Sequence, residues 1–313
     1  MLSLISKSGT PFPPKIVLLF FDVLSSKWNW EWCWKNIPDP DSHTTFKLEK
    51  LRMLLFRNTG NALSVSLNRA KALNALNVPM VTELRDLFIS WHRNHPDVSA
   101  LVMKGVGGKA FCAGGDVKSI WNEINAVGLG SPYLGQGNRG FSQSSEFFRT
   151  EYEMNYLIGK SLIPQVSLWD GIVMGGGVGV SALGRFRVAS EKAMFAMPET
   201  AIGLFPDVGS SYWLPHLNSG YGMYIGLTGA RLFAADLVHS GIATHFVTSD
   251  KLDALESALG SLPATGTPQE KEFKVSEVLD DFSAQSGKPD QSKSVLIPNE
   301  VAIRYVYVYE SYS

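Results

Sequence analysis

From Phe46 onward the apolar residues fall into short runs and helix-spaced stripes that alternate along the chain. Ala62 to Leu67 reads as a strand. Asn77 is placed to cap a helix from Val78 to about His95, with Pro79 in its first turn. Met80, Leu84, Leu87, Phe88 and Trp91 recur at helical spacing, which predicts one buried face, and Pro96 helps to end the helix. Ser99 to Met103 predicts a strand, Val117 to Val127 and Glu146 to Lys160 predict helices, and Gln165 to Trp169 predicts a buried strand. Gly128 to Ser145, rich in Gly, Ser, Asn and Gln, predicts a loop. Arg185 to Ser190, Ala193 to Met197 and Thr244 to Val247 are further strands. Helices are expected around Gly209 to Leu214, Gly220 to Leu227, Ala234 to Ser240 and Leu252 to Leu259. Strands alternating with helices predict an α/β architecture.

The two ends depart from this pattern. Residues 1–45 differ in composition from the rest of the chain and read as an extension, for targeting or without fixed structure, outside the folded domain of residues 46–262. Met1 to Phe21 carries lysines and serines and no acid, as a transit peptide does, but it lacks arginine. Residues 263–313 read as an atypical tail. Pro263 to Gln291 is polar and punctuated by Gly, Pro and Ser, and Val301 to Tyr309 alternates Tyr and Val like a strand.

Composition narrows the classes. At 313 residues, with 45% hydrophobic and 18% charged, the chain can bury a sizeable core. A net charge of -1 argues against a broad nucleic-acid surface. The best apolar run, Ile16 to Phe21, is interrupted by Asp22, so no bilayer-spanning helix is expected. Cys33 and Cys112 make no disulfide framework, which favours a reducing compartment. The six histidines are scattered, so no metal site is expected.

Three motifs carry candidate chemistry. Lys109-Ala110-Phe111-Cys112-Ala113-Gly114-Gly115-Asp116 lies between a strand and a helix. Its small residues admit a ligand close to the backbone, and a helix start offers free N–H groups to an oxyanion. Alone, it reads equally as an ordinary strand-to-helix turn. Asp170-Gly171-Ile172-Val173-Met174-Gly175-Gly176-Gly177-Val178-Gly179 also comes after a strand. Consecutive glycines there cost entropy and call for a close approach by a ligand or another backbone. The dinucleotide fingerprint fails on spacing and on its missing acid. In the third motif Glu199 and Asp207 each follow a proline and sit among Phe195, Met197, Ile202, Leu204 and Phe205. Carboxyls in such surroundings have raised pKa values and suit acid–base or nucleophilic work. The rival reading is that both cap helices, and for Asp207 capping is favoured.

In order and spacing these motifs resemble the crotonase (enoyl-CoA hydratase/isomerase) superfamily, from near Thr59 to about Leu259. Leu67-Asn68-Arg69-Ala70-Lys71-Ala72-Leu73-Asn74-Ala75-Leu76 resembles its opening coenzyme A-binding segment. Pro198-Glu199-Thr200-Ala201-Ile202-Gly203-Leu204-Phe205-Pro206-Asp207-Val208-Gly209 is close to the signature of its thioester-hydrolysing branch. The resemblance implies a crotonase-like spiral of repeated β-β-α units, with a truncated or atypical C-terminal helical region. It implies backbone N–H groups of Gly115 and Gly176 as oxyanion hole, Glu199 as main catalytic carboxylate and Asp207 as its partner. Lys71, Ala72, Leu73, Ala113 and Asp116 would contact coenzyme A. Coenzyme A is part of the substrate, and neither a further cofactor nor a metal is implied. Hydratases of this superfamily carry a glutamate where Gly179 stands, so hydrolysis of a short-chain 3-hydroxyacyl-CoA, such as 3-hydroxyisobutyryl-CoA from valine breakdown, is favoured over hydration. That pathway implies mitochondria, with peroxisome and cytoplasm left open, although Ser311-Tyr312-Ser313 is not a peroxisomal address. A catalytically silent acyl-CoA binder is the alternative from another class. The expected partner is the small acyl-CoA alone, with no nucleic acid or membrane, and a homo-oligomer is left open.

Overall fold

The computed structural model describes residues 53–94, 97–127 and 142–309. The expected N-terminal extension, and most of the loop expected from Gly128, lie outside these residues.

Two sheets are wound together by the chain. The elements in order are β1 (Leu54–Thr59), β2 (Ala62–Leu67), α1 (Val78–Asn94), β3 (Leu101–Gly105), β4 (Ala110–Cys112), α2 (Val117–Val127), α3 (Ser142–Lys160), β5 (Gln165–Trp169), β6 (Ile172–Met174), α4 (Gly176–Gly179), β7 (Phe186–Ala189), β8 (Met194–Ala196), α5 (Ser210–Trp213), α6 (Tyr221–Thr228), β9 (Leu232–Phe233), α7 (Ala234–His239), β10 (His245–Phe246), α8 (Leu252–Gly260), α9 (Pro268–Ser286) and α10 (Leu296–Arg304). The larger sheet has the order β1-β2-β3-β5-β7-β10 and the smaller β4-β6-β8-β9. Thus β3, β5 and β7 each run in the large sheet and are succeeded within a few residues by β4, β6 and β8 in the small one. Each return is parallel to the last, as the register Val102↔Val166 and Ile172↔Met194 illustrates. This is the expected β-β-α spiral.

The inner strands β2, β3, β5 and β7 of the large sheet are largely buried on both faces, whereas the edge strand β1 is mostly exposed. Val65, Leu67, Leu101, Met103 and Trp169 face one core with α1 and α3. Ala62, Val102, Val166, Leu168 and Val188 face another, closed by Leu252, Leu255 and Leu259 of α8 and Val275 and Leu279 of α9. The α1 stripe is buried as its spacing predicts, with Leu87 half-buried at its edge, and Asn77 Oδ1 accepts from Met80 N at 3.2 Å as the cap.

Three expectations fail. Helix α3 starts at Ser142, so the Gly- and Ser-rich stretch yields to helix before Glu146. The polar run after Leu262 contains the long helix α9, started by a capping box between Thr267 and Glu270 and by Pro268. Val301 to Tyr309 is not a strand: it ends α10 and continues as one wide turn of π-helix, Tyr305–Tyr309. Its alternation misleads because Tyr307 packs at helical spacing, its ring centroid 5.9 Å from that of Tyr224 on α6. Conversely β1, β4, β6 and β9 escape the sequence pattern. Strands β4 and β6 fall inside the two glycine-rich motifs, and β9 is only two residues long.

Helix α10 is fastened by one buried carboxylate. Asp236 on α7 is wholly buried, and its Oδ1 accepts from Ser294 Oγ at 2.5 Å, Val295 N at 3.1 Å and Leu296 N at 2.9 Å. It therefore satisfies the free amides at the start of a helix sixty residues downstream. Asp236→Ala is expected to cost about 2–4 kcal/mol in urea denaturation, since it leaves those amides buried without acceptors. Limited proteolysis should then cut after α9 first. Unchanged stability would show that α10 is held by its apolar contacts alone.

Candidate active site

The small sheet brings two turns together at one end. Strand β4 runs into Ala113-Gly114-Gly115, and β6 runs into Gly175, where α4 begins. Gly175 has φ +48° and ψ -120°, a conformation that side chains disfavour. A Cβ on Gly177 would stand 2.2 Å from the Cys112 carbonyl oxygen, so α4 seats against β4 only because that atom is missing. The same seating sets Gly176 beside Gly115, where a Cβ on Gly176 would lie 3.1 Å from Gly115 N. Leu76 pins the first turn, donating its N–H to Gly114 O and accepting from Asp116 N, each at 2.8 Å. Among the described residues neither Gly115 N–H nor Gly176 N–H donates to a backbone carbonyl. Two unspent donors therefore border a cavity of about 550 Å³.

Both predicted carboxylates line that cavity. Glu199 opens the 3-10 turn Glu199–Ile202 and is 5% exposed. Its Oε1 packs against Gly175, and its Oε2 has no hydrogen-bond partner among the described residues. Asp207 is 8% exposed, and Val208 after it has φ +47°. A β-branched residue in the left-handed region stores roughly 1–3 kcal/mol, the kind of strain that collects at functional sites. Neither carboxylate caps a helix. Gly209, not Asp207, is the N-cap of α5, and no side chain caps either turn. Asp207 instead accepts at Oδ2 from the Tyr152 hydroxyl at 2.7 Å.

Helix α3 supplies what the sequence reading missed. Phe148, Glu151, Tyr152 and Asn155 share its inner face at spacings of three and four. Glu151 is buried, lines the cavity and packs its Oε1 against Gly176, where that oxygen has no partner among the described residues. A glutamate and an asparagine on the otherwise apolar face of a predicted helix were the available signal.

The electrostatics arise from burial. Desolvation pushes Glu199 up to about 8; its own backbone amide opposes this and the charge of Asp207 adds to it. Burial raises Asp207 to about 6, against the hydrogen bond from Tyr152 and its own amide. Glu151 is pushed well above the usual carboxylate range, first by burial and then by the charges of Asp207 and Glu199. Near neutral pH the cavity thus holds Asp207 as the most readily ionised of the three.

The expected coenzyme A contacts are only partly gathered. Ala113 lines the cavity. Lys71, Ala72 and Leu73 form and follow a 3-10 turn whose Leu73 carbonyl accepts from Ala113 N at 3.0 Å, so they abut that end without lining it. Asp116 is committed elsewhere: it pairs with Arg69 at 2.9 Å, and its Oδ1 accepts from Ser119 N in the first turn of α2. Gly179 is closed to any side chain, since a Cβ there would meet Val208 Cβ at 2.7 Å and Asn155 Nδ2 at 2.9 Å.

The profile of the enoyl-CoA hydratase/isomerase family matches residues 62–312. The chain belongs to this family. The match runs through α9 and α10, beyond the point near Leu259 where the motifs cease to be legible. Relatives include the mitochondrial 3-hydroxyisobutyryl-CoA hydrolase of Xenopus laevis, 44% identical over 78% of this chain and 59% of its own length. The 3-hydroxyisobutyryl-CoA hydrolase 1 of Arabidopsis thaliana is 48% identical over 62% of this chain and 48% of its own length. The chain thus spans about half to three-fifths of these relatives. The solved structure of a carnitinyl-CoA dehydratase from Mycobacterium thermoresistibile superposes with a TM-score of 0.68 at 32% identity, covering 82% of this chain and 67% of that one. Within the enoyl-CoA hydratase/isomerase family this chain thus has its two glycine turns and both carboxylates on one cavity.

Burial of Glu199 has a thermodynamic consequence. Its proton is held up to about pH 8 in the folded chain but only to about 4.5 once unfolded, so stability falls as pH rises through that window. Glu199→Gln should therefore leave stability nearly unchanged at pH 5 and raise the melting temperature at pH 8, by an amount equivalent to about 2–4 kcal/mol. Equal stability of both proteins at pH 8 would mean that Glu199 is not desolvated.

Proposed function

We propose that this chain hydrolyses the thioester of a short-chain 3-hydroxyacyl-CoA, with 3-hydroxyisobutyryl-CoA as the leading substrate, in mitochondrial valine breakdown. The observation that carries the reading is the convergence of two free backbone donors, Glu199 and Asp207 on one cavity whose Gly179 side is filled by Val208 and Asn155. A hydratase of this family needs a second glutamate at that position, and no glutamate fits there. The names of the Xenopus and Arabidopsis relatives support the same substrate and, for the former, the same compartment.

In this reading the thioester carbonyl sits between the Gly115 and Gly176 N–H groups, which stabilise its developing negative charge by about 3 kcal/mol each. Glu199 in its ionised form either takes a proton from the attacking water or adds to the carbonyl itself. Asp207 accepts the hydrogen bond of the 3-hydroxyl and so orients the acyl group. The carbon–sulfur bond breaks, coenzyme A leaves as thiolate and takes up a proton, and water supplies the new carboxylic oxygen. Lys71, Ala72, Leu73, Ala113 and Asp116 would line the approach of the coenzyme, which is the substrate's own and needs no further cofactor.

Release of free thiol from 3-hydroxyisobutyryl-CoA tests the reading directly. The rate constant kcat/KM should climb with pH through about 8, as Glu199 ionises in the free enzyme. Glu199→Gln and Asp207→Asn should each lower kcat by at least about a hundredfold. Stabilisation of the fold by coenzyme A without any thiol release would overturn hydrolysis and leave an acyl-CoA binder.

A further inference from the structure

Asp207 faces an unusual set of neighbours. Glu151 and Tyr152 approach it from α3, and Glu199 approaches from the 3-10 turn that precedes it in the chain. Those two glutamates are acids, and repulsion between buried carboxylates can keep only some of them ionised. What distinguishes Asp207 from the other two is a single bond: the Tyr152 hydroxyl donates to its Oδ2 at 2.7 Å, whereas Glu151 Oε1 and Glu199 Oε2 have no partner among the described residues.

The geometry assigns Tyr152 as a positioning residue, which holds Asp207 in its ionised form and in one orientation on the cavity wall. The phenol itself stays outside the cavity wall, which Phe148, Glu151 and Asp207 line but Tyr152 does not. It therefore acts through Asp207 rather than on a ligand. Its ring is braced one helical turn along α3 by Phe148, with ring centroids 6.0 Å apart, and Phe148 in turn meets Phe147 edge-on at 5.4 Å. Burial and the nearby carboxylates push the phenol's own ionisation far upward, so the hydroxyl remains a donor across the working pH range. The strained backbone at Val208, with φ +47°, delivers Asp207 to this donor from the other side. A hydroxyl donating to a carboxylate in a dry site is charge-assisted and stabilises the ionised acid. It also leaves the carboxylate one fixed orientation, in which a substrate hydroxyl can find an acceptor. This inference rests on the hydrolase reading for its catalytic meaning, but the bond and its effect on Asp207 can be read without any turnover.

Tyr152→Phe keeps the ring and its contact with Phe148 and removes only the donor. Carbon-13 NMR titration of the Asp207 carboxyl should show its midpoint rising by about one pH unit or more in the variant. In thiol-release assays on 3-hydroxyisobutyryl-CoA, kcat should fall about tenfold while KM changes less than about twofold. An Asp207 midpoint equal in both proteins overturns the assignment. So does a variant that alters KM alone, which would make the phenol a ligand contact. If the unaltered protein releases no thiol, the hydrolase reading falls, and the titration still decides whether Tyr152 governs Asp207.

Discussion

The structure turns on one close approach, that of α4 to the end of β4. Gly177 and the Cys112 carbonyl come so near that a methyl group would stand 2.2 Å from that oxygen. Everything at the cavity inherits its position from this contact. It places the Gly176 amide beside the Gly115 amide, and it opens the space over α4 into which Glu151 and Asn155 of α3 project. The entropic cost of consecutive glycines in a buried segment, about 0.5–1 kcal/mol each relative to alanine, is the cost of having two backbone donors converge with no side chain between them. A site made of backbone amides is also stiff, because its donors move only if the sheet moves. That stiffness is what electrostatic stabilisation of a transient charge requires.

The carboxylates show the opposite economy. Three acids are packed against apolar rings with few hydrogen bonds, and one of them follows a proline and precedes a valine in a left-handed conformation. Each of these features destabilises the fold. The rest of the chain offsets them with two cores on either side of the large sheet and with fully satisfied buried anchors such as Asp236 at the start of α10. Three desolvated acids and the left-handed Val208 thus meet at one cavity, while anchors such as Asp236 that tie distant segments together are paired.

The sequence was most informative where the chemistry demands particular residues. Glu199 and Asp207 stood out as acids among apolar residues and Gly175 to Gly177 as a costly run in a buried segment, whereas the roles of Gly115 and Gly176 became legible only through the family resemblance. Helices of the α1 kind were legible through periodicity and a cap. Strands β4 and β6 were not, although they carry both turns, because their three residues each are absorbed into the glycine-rich motifs that come after them. The tail failed for another reason. Helix α9 has few buried apolar side chains, Val275 and Leu279 wholly so, and thus resembles a linker until its capping box is read. Glu151 and Tyr152 escaped because polar residues on the apolar face of the predicted helix, though a signal, do not say whether that face meets packed core or a cavity. Only the path of the chain distinguishes the two.

That path also explains why position 179 carries no side chain. The position of Gly179 lies under Val208, and Val208 comes directly after Asp207. The backbone turn that presents Asp207 to the cavity therefore drives the next side chain into the volume that a glutamate at 179 would occupy. The two acids are alternatives in space and not only in sequence: a chain that positions Asp207 in this way has no room for the other. Gaining a hydratase-like glutamate at Gly179 would require removing the Val208 side chain and moving Asn155 together, with the Asp207 turn rebuilt around them. The absence of a side chain at Gly179 is thus a packing consequence of the turn that presents Asp207.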